Sequence, residues 1–182
     1  MADLNTLFDL SGRVACVTGA SSGLGQQAAS ALAAAGAQVI GVARRAEALS
    51  DWAERIGPKA ATLSADLSER SQIKEIAAQI AAPFGAPDIV VHAAGINTRE
   101  TADNVTDEGW DITLNLNLAA PFFLSQALVS GMAAASVLKQ SKILPLFRLV
   151  MQTASNAILA EEEEAYLSME NFAQPLAVFV WT

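Results

Sequence analysis

The apolar run 13–18 leads directly into a turn with glycines at 19, 23 and 25, and then into a proline-free stretch of small helix formers. No other feature narrows the folding options of this chain as much. Closely spaced glycines permit a tight turn and close approach of backbones. A helix that starts on such a turn offers free amides and a partial positive charge to an anion, above all a phosphate. Gly36 stands where a helix-ending glycine belongs, and a second apolar run, Gln38–Ala43, follows. Strand, glycine turn, small-residue helix and strand in that order make a dinucleotide-binding unit.

The alternation continues. Residues 45–56 read as a helix with Pro58 beyond its end, and 60–65 as a third strand. Residues 71–82 read as a helix stopped by Pro83, and 88–92 as a fourth strand. Thr106 is an expected N-cap, with Asp107 and Glu108 at the positive helix end. Trp110, Leu114, Leu118 and Phe122 then recur at intervals of four and predict one apolar face, which Pro121 should kink. Residues 147–152 are a candidate fifth strand. Apolar strands alternating with helices predict an α/β fold, with a parallel sheet covered on both faces.

Composition agrees. Apolar residues make up 52% of the 182 and charged residues 16%, enough for a core and unlike a disordered acidic chain. A net charge of −8 argues against nucleic acid as partner. One cysteine, Cys16, and one histidine, His92, exclude an intrachain disulfide, a cysteine zinc site and a multi-histidine metal cage, so no metal is expected. The first residues lack the basic flank and apolar block of a secretion signal, and no unbroken apolar run approaches ~20 residues. The expectation is a cytoplasmic protein without a membrane span.

Residues 10–132 resemble the N-terminal, cofactor-binding part of the short-chain dehydrogenase/reductase family. The family turn, Thr-Gly-x-x-x-Gly-x-Gly, is matched at Thr18, Gly19, Gly23 and Gly25, with Ser21, Ser22 and Leu24 between. Asp66, followed by Leu67, resembles the family's adenine-contacting Asp. His92, Ala93, Ala94 and Gly95 resemble its Asn-Asn-Ala-Gly segment, with both asparagines replaced. Asn117, seven residues after Trp110, resembles its active-site Asn; the offset of Asn115 fits less well. The resemblance implies a Rossmann-like doubly wound sheet, here of about five parallel strands in order 3-2-1-4-5, forming one domain over 1–182. It also implies an oxidoreductase that moves a hydride between NAD(P) and a small alcohol or carbonyl compound, and homo-oligomers formed through the helix of Asn117 and the helix that succeeds it.

The second strand ends on Ala43, where an acidic residue would hold the ribose hydroxyls and repel a 2′-phosphate. Arg44 follows and offers a fork of donors suited to phosphate. This favours NADP(H) over NAD(H).

The catalytic pattern is incomplete. The family uses a Tyr to exchange a proton, a Lys four residues later to lower its pKa, and a Ser upstream to hold the substrate oxygen. The cation matters because a free Tyr has a pKa of about 10. Here Tyr166 is the single tyrosine, and its fourth successor is Glu170. Ser155 is the best counterpart of the family Ser. All eleven glycines lie at or before Gly131, so residues 133–182 read as a divergent tail. Only sixteen residues follow Tyr166, too few for the further strands and helices of the family. Two functions follow: a short-chain oxidoreductase using NADP(H), or an inactive NADP(H)-binding remnant of one, truncated or frameshifted.

Overall fold

The computed structural model describes residues 9–135 and 177–180. β1 (Val14–Thr18), β2 (Gln38–Ala43), β3 (Ala60–Ser64) and β4 (Ile89–His92) are parallel and lie in the order β3-β2-β1-β4. Between them run α1 (Gly23–Ala34), α2 (Ala46–Ile56) and α3 (Ile73–Ala81), the last entered through a 3-10 turn, Arg70–Gln72. After β4 come a 3-10 turn (Ala102–Asn104), α4 (Asp107–Leu114), a π turn (Asn115–Ala119) and α5 (Ala120–Ala135).

Side-chain alternation along the strands sends each strand's residues to two separate cores. Val14 and Cys16 of β1 join Ile40, Val42 and Val90 under Ile73, Ile76 and Ile80 of α3 and Leu124 and Leu128 of α5. Ala15 and Val17 join Val39, Ile89 and Val91 under Ala29 and Ala33 of α1 and Leu49 and Trp52 of α2. This is the expected doubly wound sheet. Small residues let α1 lie close, and a Cβ on Gly41 would come within 2.9 Å of the Trp52 ring. The Trp52 indole N–H donates to Ser30 Oγ at 3.2 Å and ties α2 to α1.

The expected helix ends are present. α1 closes with paired bonds, Gly36 N–H to Ala33 C=O and Ala37 N–H to Leu32 C=O, both 3.1 Å. This closing pattern places Gly36 at φ +106, a left-handed conformation that glycine adopts at least cost. The Thr106 hydroxyl accepts from Gly109 N–H at 3.0 Å and caps α4 as expected.

Two expectations are corrected. The sheet has five strands, but only four are parallel: β5 (Ala177–Val180) pairs antiparallel with β4. Either direction satisfies the backbone groups at a sheet edge, so pairing alone leaves the direction open. The candidate strand 147–152 lies outside the described residues. The apolar face of Trp110, Leu114, Leu118 and Phe122 is not the one that the sheet takes: Trp110 is 47% exposed. Ala120, Leu124 and Leu128 are buried instead, with Leu116 packed beside them. By length and composition Asp107–Val129 could cross a membrane; its Ala120, Leu124 and Leu128 lie in the core of the sheet. Pro121 acts as expected, through a widened turn. It has no N–H for the Asn117 carbonyl, and the preceding π turn, in which Ala120 N–H bonds Asn115 C=O, relieves the crowding.

Candidate cofactor site

The register pairs Thr18 with both Val42 and His92, and Ala43 with Ser64. The C-terminal ends of the four parallel strands therefore share one edge, where ligands bind in open α/β sheets. The glycine turn lies on this edge. Gly19 has φ +71, and a Cβ there would come within 2.5 Å of the Ala93 carbonyl oxygen. A Cβ on Gly25 would collide with the Gly19 carbonyl. Gly23 has φ +53 and open space where its Cβ would stand. The turn is thus packed on its inner side and open at Gly23.

Ser22 is the N-cap of α1, with no side-chain cap bond. Its hydroxyl is engaged elsewhere. Arg45 Nη2 donates to Ser22 Oγ at 2.5 Å and to Ser21 Oγ at 3.1 Å, and Arg45 Nε also reaches Ser21 Oγ at 3.2 Å. Arg44 stands exposed beside Asp66, with Nη1 3.9 Å from Oδ2. Asp66 Oδ1 accepts from Ser68 N–H at 3.0 Å and from Ser68 Oγ at 2.8 Å. These bonds, the backbone one foremost, hold the Asp66 carboxyl below the usual range.

The segment after β4 is braced on three sides. Thr18 Oγ1 accepts from the N–H groups of Ala93 and Ala94, both at 3.1 Å. His92 Nε2 lies 2.9 Å from Ser125 Oγ on α5. Asn117 makes a two-point bond with the Ile96 backbone: its Oδ1 accepts from the N–H and its Nδ2 donates to the C=O, both at 2.8 Å. The Gly95–Ile96 strap is thereby fixed beside the glycine turn.

Residues 13–142 match the family described as short chain dehydrogenase. This chain belongs to the short-chain dehydrogenase family. Relatives include 2-dehydro-3-deoxy-D-gluconate 5-dehydrogenase of Dickeya dadantii, 39% identical over 68% of this chain and 49% of that protein. A 3-oxoacyl-[acyl-carrier-protein] reductase of Escherichia coli is 36% identical over 69% of this chain and 51% of its own. Among solved structures, an Agrobacterium tumefaciens 3-oxoacyl (acyl-carrier-protein) reductase with NADP bound has a TM-score of 0.69 and 31% identity. It is matched over 74% of this chain and 53% of that one. L-Sorbose reductase of Gluconobacter frateurii, complexed with NADPH and L-sorbose, has a TM-score of 0.66 and 31% identity, covering 70% and 50%. The chain spans about half the length of these proteins.

The structure brings most of the short-chain dehydrogenase motif residues to one edge: Thr18, the glycine turn through Gly25, Arg44, Asp66 and the segment Ala93, Ala94, Gly95. Leu67, adjacent in sequence, is buried in the core, and Leu24 is partly exposed. Thr18 is buried and acts through the segment it holds. Asn117 acts through Ile96. Ser155 and Tyr166 lie outside the described residues. Sequence reasoning missed Arg45, Ser68 and Ser125, and it named Asn115 only as a poorer fit than Asn117. Arg45 carried a signal as the second of two arginines after β2. Asn115 and Ser125 meet partners 47 and 33 residues away in the chain.

Proposed function

We propose that this chain binds NADP(H) and serves an enzyme that interconverts hydroxyl and carbonyl groups on a small molecule. The observation that carries this is the glycine cradle packed against Ala93, with two arginines and no carboxylate at the end of β2. Gly19, Gly23 and Gly25 accommodate the diphosphate at the start of α1. Arg44 and Arg45 take the 2′-phosphate, with Ser21 and Ser22 orienting Arg45. Asp66, held by Ser68, borders the adenine. Asn117 holds the Ile96 strap on the side of the reacting groups. When bound, the nicotinamide supplies or accepts the hydride. Ser155 and Tyr166 are the residues we assign to the substrate oxygen and its proton. Glu170 in place of a lysine leaves Tyr166 without the expected cation.

NADP-bound and NADPH-bound neighbours support the choice of cofactor. A relative from Listeria innocua, 29% identical over 90% of this chain, is described as an NAD-dependent glycerol dehydrogenase, so the arginines and not the family decide. Titration by cofactor fluorescence tests the reading. NADPH should bind more tightly than NADH, and Arg44→Ala with Arg45→Ala should weaken NADPH roughly tenfold or more while sparing NADH. Equal affinity for both cofactors, or equal losses in the variant, would reject the assignment.

Trp110 exposes apolar surface on α4. We assign the side that carries it to contact with a second copy of the chain.

A further inference from the structure

We infer that Asn115 is a positioning residue that joins the two ends of the cofactor site. The inference rests on the NADP(H) reading above.

Pro121 forces a defect into the helix that begins at Asp107, because it cannot donate to the Asn117 carbonyl. Nothing about a proline fixes where the widened turn falls, or which way the residues inside it face. Asn115 supplies that choice. It opens the π turn, and its Nδ2 donates to the Ser68 carbonyl at 2.7 Å. Ser68 in turn gives both its N–H and its hydroxyl to the Asp66 carboxylate. Two residues beyond Asn115, within the same turn, Asn117 grips the Ile96 backbone at two points.

A continuous chain thus runs from Asp66, at the adenine end, through Ser68 and Asn115 to Asn117 and the Ile96 strap. Asn115 is half-buried, so its amide needs a partner in any case. Many partners would satisfy it. The one that it has belongs to the loop facing the adenine, and its anchor sets the direction of Asn117. Adenine bound against Asp66 fixes the Ser68 loop, and that loop holds the turn that orders Ile96. Asn115 touches no cofactor itself.

The test separates the adenine half of the ligand from the whole. Asn115→Leu keeps the size and removes the donor; Asn115→Asp keeps the shape and also cannot donate, and serves if the leucine variant does not fold. Affinity for 2′,5′-ADP should stay within about twofold of the parent, whereas NADPH should weaken about fivefold, the weight of one neutral hydrogen bond. In the ligand-free protein, hydrogen exchange at the Ile96 amide should quicken. Equal losses for both ligands would reduce Asn115 to an ordinary structural residue and overturn the inference. So would unchanged NADPH affinity with unchanged Ile96 exchange. If the parent chain binds neither ligand, the cofactor reading fails, and Ile96 exchange alone decides: quicker exchange in the variants supports the link, and unchanged exchange overturns it.

Discussion

At the scale of single residues, His92 has the most to lose from a change of pH. It ends β4, buried, with Nε2 at 2.9 Å from Ser125 Oγ. Burial pushes its pKa down to about 4. The unfolded chain binds this proton near pH 6.5, so between the two values the unfolded state holds more protons than the fold. The contribution of His92 is therefore fully present above pH 6.5 and is lost as pH falls toward 4. The loss is of order 3 kcal/mol. Urea midpoints measured from pH 7.5 down to 4.5 should fall steadily, and His92→Asn should flatten that fall. A midpoint that does not move over this range would show that His92 titrates normally. His92 packs at the end of its strand. Ser125 could not be found from the sequence, because it lies 33 residues on and meets His92 only when α5 crosses the sheet.

At the scale of elements, the helix around Pro121 shows what periodicity leaves open. Trp110, Leu114, Leu118 and Phe122 form one stripe at intervals of four; Leu116, Ala120, Leu124 and Leu128 form another, offset by two residues. An offset of two residues places them on opposite sides of a helix. Both are apolar, so the pattern alone cannot say which one is buried. The sheet takes the second, with Leu124 and Leu128 in its core. Leu124→Ala should cost about 2–5 kcal/mol, and Leu118→Ala less than about 1.5 kcal/mol. Chemical denaturation of the two variants checks this, and the reverse order would mean that the helix is rotated. The other helix and strand positions were legible because glycines, prolines and caps punctuate them. Gly36 and Gly57, with φ of +106 and +81, end α1 and α2 within one residue of the ends expected from sequence.

At the scale of the whole molecule, the exposed end of α4 bears on association. Trp110 is 47% and Ile112 is 42% exposed, on an element continuous with the helix that carries Asn117. Sedimentation velocity should show the parent chain as a dimer or larger and Trp110→Asp shifted toward monomer. A parent that sediments as a monomer at tens of micromolar would remove that assignment.

The sequence by itself determined the alternation of strands and helices, the turn of Gly19, Gly23 and Gly25, and the absence of an acidic residue at Ala43; the order of the strands was what the family resemblance implied. The first three are local matters: backbone freedom, strand and helix period, and the charge at one strand end are all written in neighbouring residues. Tertiary structure alone decided the direction of β5, the buried stripe of α5, the hold of Arg45 on Ser21 and Ser22, and the link from Asp66 through Asn115 to Ile96. Each joins groups distant in sequence. Their geometry exists only once the sheet has set the helices against its two faces, and a partner's identity cannot be read from the residue that waits for it.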